Sequence, residues 1–230
     1  MPYTYAYPRP MVTVDVILIQ AGEADAEVLL IQRKHPPFQN RWALPGGYVD
    51  IEEPLEAAAH RELAEETGVA NLPLVQTGVA GEPGRDPRGR TISVIFTGFV
   101  PRHQKISPAG GDDARQARWF ALKHLPPLAF DHQQLLHQQL TTIRFCALYK
   151  LWLLEFLRPQ PFTIKDVQQL QSLLIGDVWS PAVWEAVLMH LPFLTRDGNT
   201  FLWKDTAPLF SCSDVFWMEF WGKRLSQNLI

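Results

Sequence analysis

"GYVDIEEPLEAAAHRELAEETGV", residues 47–69, holds a helical segment whose charges break the local rules. Glu62, Glu65 and Glu66 fall within five positions, and only Arg61 offsets them. At 100° per residue the three carboxylates share one face, because three- and four-residue spacings are the ones that meet on a helix surface. Like charges at those spacings cost a few tenths of a kcal/mol each, roughly, in an isolated helix. Such a conflict is expected at a working site, where something positive sits over the face. A hard cation such as Mg²⁺ or Mn²⁺ suits three carboxylates and also binds phosphate oxygens. Ala58 and Ala59 precede Glu62 by four and three positions. Sharing its face, they predict open room there for a bulky ligand. "LPGG" at 44–47 brings backbone that glycine lets approach closely.

Working outward, "MVTVDVILI" (11–19) alternates and is β-branched, and with "EVLLIQRK" (27–34) it predicts a strand pair. "TISVIFTGFV" (91–100) is a third strand and "ARWFAL" (117–122) a fourth. Between them the helix starts with Pro54 as its first residue and stops at Gly68. The result is a mixed sheet with an inserted helix. After about residue 145 the strands give way to helical periodicity, and Trp152, Trp179, Trp184, Trp203, Trp217 and Trp221 are concentrated there. We therefore expect two domains, 1–143 and 144–230.

The chain has 230 residues, a net charge of −3 and 47% hydrophobic residues, which excludes a disordered chain. Neither domain is basic, which argues against nucleic acid as the principal ligand. The N-terminus "MPYTYAYPRP" lacks the pattern of a signal peptide, and "FCALYKLWLLEFL" (145–157) is too short and too charged to span a bilayer. The expectation is a soluble, cytoplasmic protein with Cys146 and Cys212 as buried thiols.

Taken whole, residues 47–69 read Gly47, five residues, Glu53, seven residues, then Arg61-Glu62-Leu63-x-Glu65-Glu66-x-Gly68-Val69. This matches every restricted position of the signature of the Nudix hydrolases, which cleave nucleoside diphosphates linked to another group. The resemblance implies an α/β/α sandwich with a mixed sheet. It implies that Glu62, Glu65 and Glu66 hold divalent ions, Mg²⁺ or Mn²⁺, with a backbone carbonyl near Gly46 or Gly47, and that Glu53 and Arg61 pair to brace the loop on the helix. Glu62 is the first candidate for the base; Asp112, Asp113 and Glu82 are the acidic residues available if a later loop supplies it.

"LLIQRKHPPFQNRWALPGGYV", "GRDPRGRTISV", "GGDDARQARWF" and "LAFDHQQLL" are similar to the ADP-ribose pyrophosphatase branch of that family, over most of residues 8–140. The branch often works as a dimer and implies an ADP-ribose-type substrate. Arg85, Asp86, Arg88 and Arg90 gather around an Asp-Pro turn, and guanidinium forks suit phosphate. Arg33 and Lys34 are expected at the entrance, with Asp113 also near substrate. Trp42 either stacks on a base or supports the loop, the second being preferred. His35, His60 and His132 read as surface or hydrogen-bonded residues.

Beyond 145 the order is a long apolar helix (145–157), a helix capped by Thr163 with Asp166, a helix started by Ser180-Pro181, and a hairpin turn at "RDGNT". Three helices and a hairpin make a winged helix-turn-helix. This resembles the Nudix-related transcriptional regulators of NAD metabolism. Their following helix is rich in arginine and lysine, whereas here none occurs between Lys165 and Arg196. Two functions stand: a Mg²⁺-dependent pyrophosphatase, favoured by the intact carboxylate trio, and an ADP-ribose-sensing transcriptional regulator. The first carries the expectation of a homodimer without specific DNA binding. The C-terminal tryptophans are either the core of a small domain or a protein interface.

Overall fold

A computed structural model describes residues 5–111, 113–204, 209 and 217. Asp112, Cys212 and Trp221 lie outside them, as does everything expected of those residues. Seven strands form one mixed sheet: β1 (Met11–Ala21), β2 (Ala26–Arg33), β3 (Trp42–Ala43), β4 (Gly46–Tyr48), β5 (Val75–Ala80), β6 (Thr91–Phe99) and β7 (Ala114–Ala121). The order is β3-β2-β1-β6-β5, with β4 paired to β1 and β7 to β2. The four predicted strands are β1, β2, β6 and β7. Two further strands, β3 and β4, are too short to leave a period, and β5 is half-exposed with its alternation broken at Gly78. The apolar centre of β1, Val16–Ile19, is fully buried, as are Val28–Leu30 of β2.

Helix α1 (Leu55–Thr67) packs against β4 and β7. Gly68 ends it in the left-handed conformation (φ 71°), its N–H donating to the Ala64 carbonyl, where a side chain would be strained. Pro54 stands one position earlier than expected: its extended backbone (ψ 147°) makes it the residue before the helix. Ala58 and Ala59 also depart from expectation. Both are completely buried beside Leu63, so their small side chains let α1 lie close on the core and leave no ligand space there. Helical spacing placed them near Glu62 without fixing which flank of that face turns inward.

Two compact units are distinguished, residues 1–19, 27–98 and 106–140 in the first, and 20–26, 99–105 and 141–230 in the second. No linker lies between 143 and 144, since α2 (His132–Tyr149) is continuous there. The expected helix over 145–157 is broken. Leu151 is left-handed (φ 53°), and Trp152–Leu157 form a 3-10 segment. All six of its residues are buried, so the stretch has no polar face with which to continue an amphipathic α-helix.

In the second unit α3 (Ile164–Leu174) begins with a capping box in which Thr163 and Asp166 satisfy each other's backbone N–H groups. Helix α4 (Pro181–Leu188) follows the Ser180 cap and packs on α3. The hairpin β8 (Leu194–Asp197) and β9 (Thr200–Trp203) turns through Gly198. This is the helix-turn-helix-and-wing order read from the sequence. Three of its tryptophans serve the core: Trp184 is fully buried, and Trp152 and Trp217 nearly so, while Trp179 and Trp203 are half-buried. The side-chain Oε1 of the buried Gln171 accepts from the Trp184 indole N–H at 2.8 Å and from the Trp179 backbone N–H at 3.0 Å. Among the described residues no helix is long and apolar enough to cross a membrane.

Candidate active site

The register of β4 on β1 builds the floor of the site by setting Gly46 opposite Asp15, Gly47 opposite Val14 and Tyr48 opposite Thr13. The Gly46 N–H donates to Glu66 Oε2 at 2.9 Å, tying this floor to α1. A Cβ on Gly47 would come within 2.3 Å of the Glu62 carboxylate, so glycine is what allows the floor and the acidic face to close on each other.

Arg61 supplies the positive charge that the acidic face demanded. Its Nε and Nη2 donate to the two oxygens of Glu53, each at 2.8 Å, a bidentate pair. Its Nη1 donates to Glu62 Oε1 at 2.7 Å and to Glu65 Oε2 at 3.1 Å, and Nη2 also reaches the Tyr48 carbonyl at 3.0 Å. The hydrogen bonds from Arg61 hold Glu53 below the usual carboxylate range.

Glu62 and Glu66 behave differently. Burial raises the Glu62 carboxyl despite Arg61. Burial also pushes Glu66 up to about 8, against the Gly46 N–H and helped by repulsion from Glu62. Glu66 thus places a carboxylate in a dry setting where one backbone N–H is its only hydrogen-bond partner among the described residues.

Glu62, Glu65, Glu66 and Arg61 line a cavity of about 270 Å³ with Thr13, Arg33, Gly46, Gly47, Tyr48, Asp50, Arg88 and Asp113. Among the described residues no three acidic, histidine or cysteine side chains converge as ligands of one cation. Arg61 bonds two of the trio, and that holds Glu62 and Glu65 toward the guanidinium. The donor set nonetheless fits a hard divalent ion: it is all oxygen, it faces a cavity, and Glu66 buries charge that only one N–H offsets.

The remaining expected residues divide. Arg33 and Arg88 reach the cavity, their guanidinium carbons 4.9 and 5.5 Å from the Phe130 ring centroid. Burial, and then Arg88, lowers the Arg33 pKa. Asp86 lines only the smaller cavity, where its carboxylate accepts from Arg88 Nη2 at 2.7 Å. Arg85 is no loop arginine: its side chain is 5% exposed and bound bidentately to Asp131 at 2.9 Å, a partner 46 residues on. Arg90 donates to the Gly81 carbonyl. Asp113 is exposed, 3.6 Å from His35, and Glu82 lines neither of the site's cavities. Lys34 likewise lines neither. Trp42 packs edge-on against Phe120 (centroids 4.6 Å apart) outside both cavities, consistent with support of the loop.

A second cavity of about 40 Å³ adjoins the first, the two sharing Thr13, Arg33, Gly46, Gly47 and Arg88. Asp15, Arg85, Asp86, Phe130 and His132 also line it. Of these Asp15, Phe130 and His132 had not been singled out as site residues. Asp15 had a signal: it is the only charged residue in the apolar run of β1. His132 and Phe130 had none, since their site partners lie far off in the chain.

Comparison with known proteins follows the same outline. The chain is 44% identical over 132 residues to the ADP-ribose pyrophosphatase of Methanocaldococcus jannaschii, covering 56% of this chain and 73% of that one. It is 33% identical over 177 residues to the ADPR responsive transcriptional repressor NtrR of Acinetobacter baylyi, covering 74% and 68%. The solved structure of Shewanella oneidensis NrtR complexed with a 27mer DNA superposes with a TM-score of 0.64 at 28% identity, over 84% of this chain and 93% of that one. The family model "NUDIX domain" matches residues 9–139, the span that carries β1 to β7, α1 and both cavities, and this chain belongs to the Nudix family.

Proposed function

We propose that this protein is a Mg²⁺- or Mn²⁺-dependent pyrophosphohydrolase that cleaves the diphosphate of ADP-ribose or a related nucleoside diphosphate derivative. The observation that carries this is the wall of the larger cavity, where Glu62, Glu65 and Glu66 face Arg33 and Arg88. Anionic ligands for a cation and cationic forks for phosphate are both needed for such a substrate. The similarity to the M. jannaschii ADP-ribose pyrophosphatase supports the substrate class. Residues 1–143 form the catalytic domain in this reading and 144–230 a separate one; a cytoplasmic homodimer is part of it.

The three glutamates, with a backbone carbonyl at Gly47, would hold the metal, which lowers the pKa of water and offsets phosphate charge when bound. Arg33 and Arg88 orient the diphosphate. Glu53 fixes Arg61, and Arg61 sets Glu62 and Glu65 on the cavity side of α1. The Gly46 N–H aims Glu66, leaving its other oxygen unbonded among the described residues. Glu62, with its carboxyl raised by burial, is placed to accept a proton from the attacking water. Turnover of a panel of nucleoside diphosphate derivatives with Mg²⁺, and identification of the nucleotide released, tests the proposal; absence of cleavage across the panel refutes it.

Arg88→Ala is expected to reduce kcat/KM about tenfold or more, the effect of one charge-assisted hydrogen bond to phosphate at about 1.5 to 3 kcal/mol. The Asp86 pair tempers the Arg88 charge without removing it, since the Arg88 side chain remains 37% exposed. Steady-state kinetics within twofold of wild type, on a folded variant, would remove Arg88 from the site.

The regulator reading has its own support, because the similarity to the NtrR repressor and to the DNA-bound NrtR structure continues past residue 140. Duplex binding draws most of its affinity from Lys and Arg against phosphates. The start of α4 offers Ser180, Pro181, Ala182, Val183, Trp184 and Glu185; Trp184 is buried, and Glu185 pairs with Arg196 of the hairpin. We therefore expect no sequence-specific duplex binding and at most a weak, salt-sensitive association. Titration of the full chain with genomic DNA fragments at physiological salt, with and without ADP-ribose, checks this. A nanomolar, sequence-selective complex would favour the regulator.

A further inference from the structure

The smaller cavity carries polar groups for which the diphosphate chemistry has no use. Asp15 Oδ2 accepts from Ser93 Oγ, while Oδ1 has no hydrogen-bond donor among the described residues. Across from it stands His132 Nε2 at 3.6 Å, too far for a hydrogen bond. The side chains of Asp15 and His132 are only 9% and 6% exposed.

The tautomer of His132 follows from its other nitrogen. Nδ1 accepts the Leu44 N–H at 3.0 Å, so the proton of the neutral ring is on Nε2, pointing at the cavity. Burial lowers the His132 pKa, which keeps the ring neutral. Arg85, the cation nearest Asp15, is 3.6 Å away and engaged by Asp131. One part of the cavity wall thus presents a buried acceptor and a buried donor side by side, 3.6 Å apart, so that a single oxygen lying in the cavity beside them meets both.

That pair selects its ligand by chemistry. At this pair an ammonium group can donate to Asp15 but cannot accept from Nε2–H, and a phosphate or carboxylate can accept but meets the Asp15 charge; of the guanidinium groups on the same wall, Arg85 is held by Asp131 and Arg88 by Asp86. A hydroxyl does both. At about 10–15 Å³ per oxygen-sized occupant, a cavity of about 40 Å³ holds a few such groups and excludes a purine. Its shared wall with the larger cavity puts those hydroxyls next to a diphosphate held there.

We propose that Asp15 and His132 form a subsite for the vicinal diol of a ribose attached to the diphosphate, and so determine specificity for ribosyl over deoxyribosyl substrates. The inference rests on the pyrophosphohydrolase reading and extends it to the sugar.

The test compares ADP-ribose with analogues lacking a single hydroxyl on either ribose, with the wild-type chain and with Asp15→Asn and His132→Gln. For the wild type, kcat/KM falls at least about tenfold for one of the deoxy analogues, because buried polar groups are left unpaired. In the variants this preference shrinks to within about threefold, a change in ratio that general loss of stability does not produce. Equal use of all analogues by the wild type, within twofold, overturns the subsite while leaving the hydrolase reading intact, and means the cavity holds water only. An unchanged ratio in the variants overturns the assignment to these two residues. If no diphosphate is cleaved, calorimetry with ribose 5-phosphate and its 2-deoxy counterpart still decides: preference for the former retains the subsite without the hydrolase, and equal or absent binding overturns both.

Discussion

Glu66→Gln is expected to reduce turnover by about three orders of magnitude while leaving the fold intact. Glu66 brings the most deeply buried charge of the acidic face, and a neutral amide of the same shape can still meet the Gly46 N–H. What it loses is the ability to balance a cation. A metal that lowers the pKa of water and offsets phosphate charge supplies several kcal/mol, and about 4 kcal/mol corresponds to roughly a thousandfold in rate. Since burial already pushes the Glu66 carboxyl up to about 8, removing its charge also removes a destabilising element. Thermal stability without metal should therefore be equal to or above that of the wild type. Kinetics at limiting and saturating Mg²⁺, beside a melting curve, check both halves; near wild-type rates at limiting Mg²⁺ would remove Glu66 from the metal site.

Gly46→Ala should be the most damaging small substitution in the first unit. The added Cβ would lie 2.1 Å from the Val14 carbonyl oxygen and 3.0 Å from the Asp15 Cα, both backbone atoms of β1. β4 must move off β1, which disturbs the Val16 N–H to Pro45 carbonyl bond (2.8 Å) and the Gly46 N–H to Glu66 bond. Overpacking a tight site costs about 1–3 kcal/mol, and losing these hydrogen bonds adds about 1 kcal/mol each. At about 2–4 °C per kcal/mol in a protein of this size, a drop in Tm of roughly 10 °C is expected, together with loss of activity. Gly81→Ala is the control: its Cβ meets only an Ile92 side-chain carbon at 3.9 Å, and its Tm should stay within about 2 °C. Equal Tm values for the two variants would show that the β1–β4 approach is less tight than described.

What could be read from the chain depended on whether the signal was local. The acidic face of α1 was legible because three like charges on one side contradict helix energetics, and the contradiction itself points to a positive partner. That Arg61 would be that partner in this structure, bonding Glu53, Glu62 and Glu65 together, needed the rotamers. Ala58 and Ala59 show the limit of periodicity, which gives a shared face but not what lies against it. The break at Leu151 was hidden because an unbroken apolar run fits a buried helix and a buried 3-10 segment equally. Capping at Thr163 and Ser180 was readable, since those hydrogen bonds close within three residues.

Contacts between distant residues left no trace. His132 bonds Leu44 across 88 residues, and Arg85 reaches Asp131 across 46, so the expected row of loop arginines became one buried ion pair on the wall of the smaller cavity, one guanidinium shared by both cavities and one backbone contact. Asp15 alone announced itself, as a charge in the middle of a strand whose neighbours are all buried.

Cleavage of ADP-ribose in H₂¹⁸O with Mg²⁺, followed by mass spectrometry of the products, tests the central claim most directly. Attack of water on phosphorus predicts AMP and ribose 5-phosphate, with one ¹⁸O in the phosphate of one product. No cleavage, or release of ADP with its diphosphate intact and free of ¹⁸O, would contradict it.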